Sequence, residues 1–335
     1  MKPKFDLISV GDTQYDVFLE LEEETKILRD EQEQRDYLGL VFAEKIPVQS
    51  YTAVPAVGNS VNVAIGASRL GLKTALYTVL GDDRVGKEEL EIFKKEKVST
   101  DYIAWDKKRG SNFSAVLNYK GERTILVFHE PRDYNLPKLA PARFLYYSSL
   151  AKDHEKLHTQ IPSYIKKSGA KLVFNPGSHQ LKEGLSVLQP ILQVTSVFLV
   201  NKEEAQELLG TTEQDVKILL ELLSRCAGSR EAGQGPEIVV ITDDGKGSHC
   251  FDGTNFYHLD IFRVPVKEMT GAGDAYSTGF VSALAYGNNV KEAMRWGAVN
   301  GASVIQKIGA REGLLRKDEM EKMLQENPGF QPIII

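Results

Sequence analysis

Short apolar runs rich in Val, Ile and Tyr alternate along the chain with longer stretches whose apolar positions recur every three or four residues. The first pattern suits a strand and the second an amphipathic helix. The runs predict strands over Phe5–Val10, Thr74–Val79, Ala115–Tyr119, Thr124–His129, Phe144–Ser149, Lys171–Asn175, Val197–Val200, Ile238–Thr242 and Phe256–Val264. The periodic stretches predict helices over Ser60–Leu70, Val85–Lys95, Glu155–Lys167, Lys202–Leu209, Glu213–Cys226, Asp274–Tyr286, Val290–Lys307 and Lys317–Glu326. From Phe144 onward strand and helix alternate, and strands such as VFLV and IVVI are apolar throughout. Such strands indicate a parallel sheet covered by helices on both faces. Nearer the N-terminus the strands crowd together, as hairpins do. The expected fold class is α/β: a three-layer α/β/α body with a mainly parallel central sheet and a small β extension near the N-terminus.

Two stretches break the pattern. ELEEETKILRDEQEQRD (20–36) is highly charged with few apolar positions, which predicts a solvated helix or mobile loop, with a lid over a substrate as the functional alternative. SRCAGSREAGQGPE (224–237) is expected as an exposed loop.

The length of 335 residues allows one large α/β domain or two smaller ones; the chain shows no internal repeat and is read as a single domain over 1–335. A net charge of −5 argues against a nucleic-acid partner, which usually demands a basic face. The cysteines Cys226 and Cys250 stand far apart with no CxxC pattern, as expected of a reducing cytoplasm. The apolar run before Gly11 is too short for a secretion signal, and no run approaches a membrane span.

Several short motifs invite a chemical reading. GDDRVGKE (81–88) has P-loop spacing, but Glu88 stands where a magnesium-binding hydroxyl belongs, and Asp82 and Asp83 would repel phosphate. It reads as a turn capping a helix. GAGDAY lacks the third glycine of a dinucleotide fingerprint. DHEKLH spells H-E-x-x-H with His154, Glu155 and His158, a zinc pattern. No third ligand is evident nearby, so these histidines are expected on an exposed helix. In TGAGDAYSTGF (270–280) small residues precede a helix start, where free amides and the helix dipole can hold an anion. Asp274 there is either a simple N-cap or a base that takes a proton from a substrate hydroxyl beside that anion site.

Four motifs in order bear on that choice. EMTGAGDAYSTGF resembles the second signature of the ribokinase-like sugar kinases, the PfkB family, and GNSVNVAIGASRLG (58–71) resembles the first. NKEEAQELLG (201–210) resembles the family's N-x-x-E magnesium motif, and ITDDGKGS (241–248) its nucleotide loop. The resemblance spans roughly residues 5 to 315 and implies a kinase using ATP and Mg²⁺ on a sugar hydroxyl. It implies Asp274 as base and Gly271, Ala272 and Gly273 as the anion hole. By the same resemblance Asp16, at the end of the first strand, grips substrate hydroxyls, with Gly58 and Asn62 lining the pocket. Asn201 and Glu204 face the magnesium. Thr242, Gly245 and Gly247 border the nucleotide phosphates, and Asn300 contacts the base. The chain departs from the family pattern at Val57, Glu268, Met269 and Asp244, which bear on a monovalent-ion site and on the fit of the nucleotide.

A nucleoside kinase of the same fold, with Phe18, Tyr51, Phe128 or Tyr134 as a stacking platform, and a binding protein without turnover are the alternatives. Arg123, Arg132 and Asp133 are candidates for recognising a carboxylate or phosphate on the substrate. Lid elements are expected within about 12–56 and 110–130, with a homodimer formed through the lid.

Overall fold

The computed structural model describes residues 3–22, 25–32, 35–226 and 235–335. Its frame is a nine-stranded sheet. Six strands run parallel: β1 (Phe5–Val10), β6 (Thr74–Tyr77), β11 (Ala142–Tyr147), β12 (Lys171–Phe174), β13 (Thr195–Asn201) and β14 (Ile238–Thr242). Beyond β14 the antiparallel strands β15 (Ser248–Phe251), β16 (Phe256–Leu259) and β17 (Ile333–Ile334) complete the order β17-β16-β15-β14-β13-β12-β11-β1-β6.

Side chains alternate across this sheet. Leu145 and Tyr147 of β11 join a core with helices α3 (Leu157–Ser168), α4 (Ser178–Leu192), α5 (Lys202–Leu209) and α6 (Val216–Arg225). Phe144 and Tyr146 join the opposite core with α1 (Asn59–Arg69), α7 (Ala272–Ala285), α8 (Val290–Val304) and α9 (Lys317–Glu326). The strands need no polar face, which is why they read as continuous apolar runs. The α7–α8 contact is made at backbone distance: a Cβ on Gly279 would stand 2.3 Å from the Trp296 carbonyl oxygen.

The early strands form a second sheet in the order β10-β9-β2-β5. It comprises β2 (Gln14–Leu21), β5 (Val48–Val57), β9 (Phe113–Tyr119) and β10 (Glu122–Phe128). The charged run at 20–36, expected as helix or loop, instead ends β2 and enters a ribbon of β3 (Lys26–Asp30) and β4 (Arg35–Gly39). Ile27 faces Leu38 across it, and Arg29 pairs with Asp36 at 3.1 Å. Cross-strand pairs of this kind are what stabilise a narrow ribbon. Residues 23, 24, 33 and 34 of that run lie outside the described residues. Of the loop expected at 224–237, residues 227–234 lie outside them too, and Ser224 and Arg225 end α6.

The expected turn at 81–88 is present. Asp83 caps α2 (Arg84–Lys95) through the Gly86 amide at 2.8 Å, beside the short pair β7 (Val79–Gly81) and β8 (Ala104–Asp106). The strand expected over Phe256–Val264 stops at Leu259, because its partner β15 begins at Ser248 opposite that residue. Among the described residues no helix is long and apolar enough to cross a membrane.

Where the two sheets meet, Glu89 of α2 is buried. Its Oε1 accepts from Thr13 Oγ1 at 3.1 Å and from the Ala56 amide at 3.3 Å, while Oε2 has no partner. Burial pushes this carboxyl up to about 8. The unfolded chain therefore releases the proton at lower pH than the folded one, so stability falls as pH rises from the ordinary carboxyl range toward 8. Urea denaturation of Glu89→Gln should show this loss removed. Relative to the parent, the variant gains on the order of a few kcal/mol between pH 5 and pH 8, and parallel curves would contradict the assignment.

Candidate active site

Ligands of open α/β sheets bind beyond the carboxyl ends of the parallel strands. Asp12, Asn175, Asn201 and Thr242 all stand there, following or ending β1, β12, β13 and β14. The N-terminus of α7 points into the same crevice. Gly271 precedes the helix with φ 79°, and a Cβ there would lie 2.6 Å from Ala310 Cβ, so both the turn and the contact require glycine. No side chain caps this helix. Among the described residues the Gly271 and Gly273 amides have no hydrogen-bond partner, while the Ala272 amide turns back to Met269 O at 3.3 Å. Beside Gly273 there is open space where a Cβ would stand.

Asp274 follows at once. It is not the cap of α7 but a first-turn residue whose Oδ2 accepts from Asn62 Nδ2 at 2.7 Å. Burial pushes its carboxyl up to about 6, with the Asn62 bond opposing. Asn62 itself is buried, and its Oδ1 has no partner among the described residues. Buried polar atoms are rarely left so, which marks this spot as one that a polar ligand would complete. Burial and the nearby Asp274 carboxylate also raise Glu204.

Asn201 and Glu204 cap α5 reciprocally, the Glu204 amide donating to Asn201 Oδ1 and the Asn201 amide to Glu204 Oε2, each at 2.8 Å. This is a reciprocal capping box across the N-x-x-E spacing, and it holds both side chains at the mouth of β13.

Asp16 does not end the first strand: β1 stops at Val10 and Asp16 lies on β2, opposite Val54 and Ser114. Burial raises its carboxyl to about 6, opposed by a hydrogen bond from Ser114 and reinforced by Glu268. Coupling to Glu268 brings the second sheet close to the approach to α7. Arg123 of β10 makes the same connection by donating to Thr270 Oγ1 at 2.7 Å. Gly58 precedes α1 with φ 117°, and a Cβ there would stand 2.8 Å from the Asp12 carbonyl oxygen.

A cavity of about 420 Å³ adjoins the α7 terminus. Thr242, Asp244, Gly245 and Gly247 form one wall, and Ala272 and Gly273 the end nearest Asp274. Gly247 has φ 84° and leaves no room for a Cβ, which would stand 2.1 Å from Leu259 O. Asp244, where a glycine is usual in the resemblance, takes φ 39° at the solvent edge of this wall. The far wall, Phe262, Val264, Ala302 and Ile305, went unrecognised in the sequence, where 256–264 reads as one strand.

Other expectations are corrected. Asn300 does not face the cavity: it is fully buried, its Nδ2 donating to Ala275 O at 2.7 Å and its Oδ1 accepting from the Leu315 amide at 3.1 Å. Its neighbours Gly301 and Ala302 line the cavity instead. Arg132 is buried and bound to Gly110 O and Asp106, and Asp133 pairs with Lys156 on the surface, so neither is offered to a ligand. Tyr134, one candidate stacking platform, is buried with its hydroxyl on Asp12. His154 and His158 are buried rather than exposed, and Glu183 stands as a third potential ligand beside them. Asp12 was missed. Its Oδ2 accepts from Tyr134 OH at 2.7 Å and from the Ala151 amide at 2.8 Å, and burial raises it to about 6. The only sequence signal was an acid placed directly after a buried strand.

The pfkB family carbohydrate kinase model matches residues 29–317. The chain belongs to this family and is a phosphotransferase with an alcohol group as acceptor, a sugar or nucleoside kinase of the ribokinase type. It is similar to an uncharacterized sugar kinase of Archaeoglobus fulgidus, 29% identical over 270 residues that cover 75% of this chain and 99% of that protein. Among solved structures, Arabidopsis thaliana ribokinase complexed with ribose and ATP superposes with a TM-score of 0.76 at 20% identity, covering 97% of this chain and 99% of that one. The Methanocaldococcus jannaschii nucleoside kinase gives 0.74 at 17% identity, covering 96% and 98%. The expected fold class is thereby confirmed.

Since Asn300 bridges two backbones, Asn300→Ala should cost about 1–3 kcal/mol by stranding buried partners, read as a lower urea midpoint. ATP affinity of the folded variant, measured by calorimetry, should change little. A large loss of affinity at unchanged stability would restore the base-contact role.

Proposed function

We propose that this kinase transfers the γ-phosphoryl group of ATP to a hydroxyl of a small sugar or sugar derivative, with Asp274 as general base. The observation carrying this reading is the placement of the Asp274 carboxylate. It stands at the uncapped start of α7, between the unpartnered Asn62 Oδ1 and the end of the cavity walled by Gly273. The sugar lies against Asp16, Gly58 and Asn62. Asp274 accepts the proton as the hydroxyl oxygen attacks, and the amides of Gly271, Ala272 and Gly273 hold the charge on the transferring group. Thr242, Gly245 and Gly247 border the nucleotide, whose base and ribose occupy the largely apolar remainder of the cavity. Positioning and charge stabilisation supply most of the catalysis, as in phosphoryl transfer generally.

The electrostatic coupling of Glu204 to Asp274 supports a cation here, because two neighbouring carboxylates raised by burial gain from a positive charge between them and the phosphates. Asn201 and Glu204 are the residues to hold Mg²⁺, through its waters. When bound, Mg²⁺ neutralises phosphate charge.

The second sheet, with segments 12–56 and 110–130, acts as the lid, and Arg123 to Thr270 is one of its contacts with the body. Strand β10 is one of the sheet's two edges, and Ile125, Leu126, Val127 and Phe128 along it are each 43–57% exposed. We read this edge as the contact with a second copy of the chain. Sedimentation should give a dimer that Leu126→Glu converts to monomer; an unaltered monomer in the parent removes the reading.

Asp274→Asn should reduce turnover about 10²–10⁴-fold while ATP still binds, in a coupled assay over sugars and nucleosides. Unimpaired turnover would remove the base assignment, and activity confined to nucleosides would replace the sugar substrate. Because only the ionised carboxylate accepts a proton, kcat/KM should rise with pH through about 6 and level above it. The rise should be absent from the residual activity of the asparagine variant.

A further inference from the structure

We propose that His154, His158 and Glu183 form a binding site for a single zinc ion, on the face of the sheet opposite α7 and the nucleotide cavity. One ligand atom from each of the three lies within 4.8 Å of the other two. His154 Nε2, His158 Nε2 and Glu183 Oε2 are all buried, and none has a hydrogen-bond partner among the described residues. Three orphaned polar atoms aimed at one point need a common partner, since each left alone costs free energy.

The tautomer of His154 sharpens the argument. Its Nδ1 lies 2.6 Å from the Ala151 carbonyl oxygen, which can only accept, so Nδ1 carries the proton. A neutral ring then presents a lone pair from Nε2 to Glu183 Oε1, 3.2 Å away. Two lone pairs at that distance repel unless positive charge lies between them. A proton there would make an imidazolium–carboxylate pair, yet it would leave His158 Nε2 and Glu183 Oε2 unsatisfied at 3.9 Å. No lysine or arginine pairs with Glu183 among the described residues. A divalent ion answers all three atoms at once.

Two imidazoles and a carboxylate are donors that zinc prefers, and a ligating histidine commonly donates its other N–H to a backbone carbonyl, as His154 does. Ligand atoms around tetrahedral zinc stand about 3.3 Å apart, so the His154–Glu183 spacing of 3.2 Å already fits, and His158 supplies a third donor within 4.8 Å. Asp153, just before the first ligand, has φ 67°, a strained turn for a non-glycine residue that helps carry His154 inward. Glu155, which a hydrolase of the H-E-x-x-H type would use as its base, is exposed and outside the cluster. The ion's role is therefore positional. It ties the loop before α3 to α4, and through Ala151, whose amide donates to Asp12 at 2.8 Å, it steadies the crevice at the end of β1.

The test uses the full chain stripped with a chelator and titrated with zinc chloride alone against a chromophoric competitor. One equivalent should bind, and the thermal midpoint should rise with zinc. Cobalt(II) in its place should give the visible bands of a four-coordinate nitrogen–oxygen site. His158→Gln and Glu183→Gln should each weaken binding by more than the roughly 10–100-fold that losing an outer hydrogen bond costs. His249→Gln, in a separate histidine pair, should leave binding intact. Should the cluster variants fold poorly, the stoichiometry and cobalt spectrum of the parent protein decide. Absence of bound zinc in the parent, or affinity unchanged by both cluster substitutions, overturns the site.

Discussion

The first turn of α7 must be held against its neighbours at backbone distance, and the rest of the site follows from that constraint. Gly279 admits the Trp296 carbonyl, Gly271 admits Ala310, and Asn300 bridges Ala275 to Leu315. With α7 fixed on that side, Asn62 of α1 fixes it on the other by its bond to Asp274. An uncapped helix start is a cost in isolation. Here it is sustained by packing further along the helix, so the Gly271 and Gly273 amides stay free for a ligand.

Three carboxylates in or beside the crevice, Asp12, Asp16 and Asp274, share one perturbation: burial raises each to about 6. Their local partners differ. Asp12 is tied to Tyr134 and Ala151, whereas Asp274 has the Asn62 amide alone to oppose the burial. A carboxylate with few internal partners retains capacity to accept from an incoming hydroxyl, which on the proposed reading separates the reacting acid from the structural one.

Most of the main sheet was legible because its strands are buried on both faces and its helices carry long periodic stripes. Strands β1 and β14 and helices α5 and α9 fall where the pattern puts them. Helix α4 escaped because Gly184, at φ 76°, kinks it and interrupts the stripe. The second sheet was only partly legible: β5 carries six consecutive exposed positions and a proline, so alternation is absent from its residues. The α7 terminus and the N-x-x-E cap were legible because backbone geometry dictates their small and acidic residues. The pairing of Asn62 with Asp274 brings together residues 212 positions apart, and no local pattern encodes that. Asn300 was misjudged because an amide that satisfies two backbones looks, in a sequence, like one that waits for a ligand.

The strand order also bears on how the chain is made. Strand β1 takes one partner from β6 and the other from β11, whose last paired residue is Tyr147, and β2 lies beside β9. During synthesis from the N-terminus, one inner strand of the body and one inner strand of the small sheet wait, with open hydrogen-bonding edges, for segments about a hundred residues or more downstream. Pairings of such sequence separation form slowly, and open edges in the interval invite association with other chains. The strand order that pairs β1 with β11 and β2 with β9 therefore leaves the nascent first half of this protein prone to association until its downstream strands arrive.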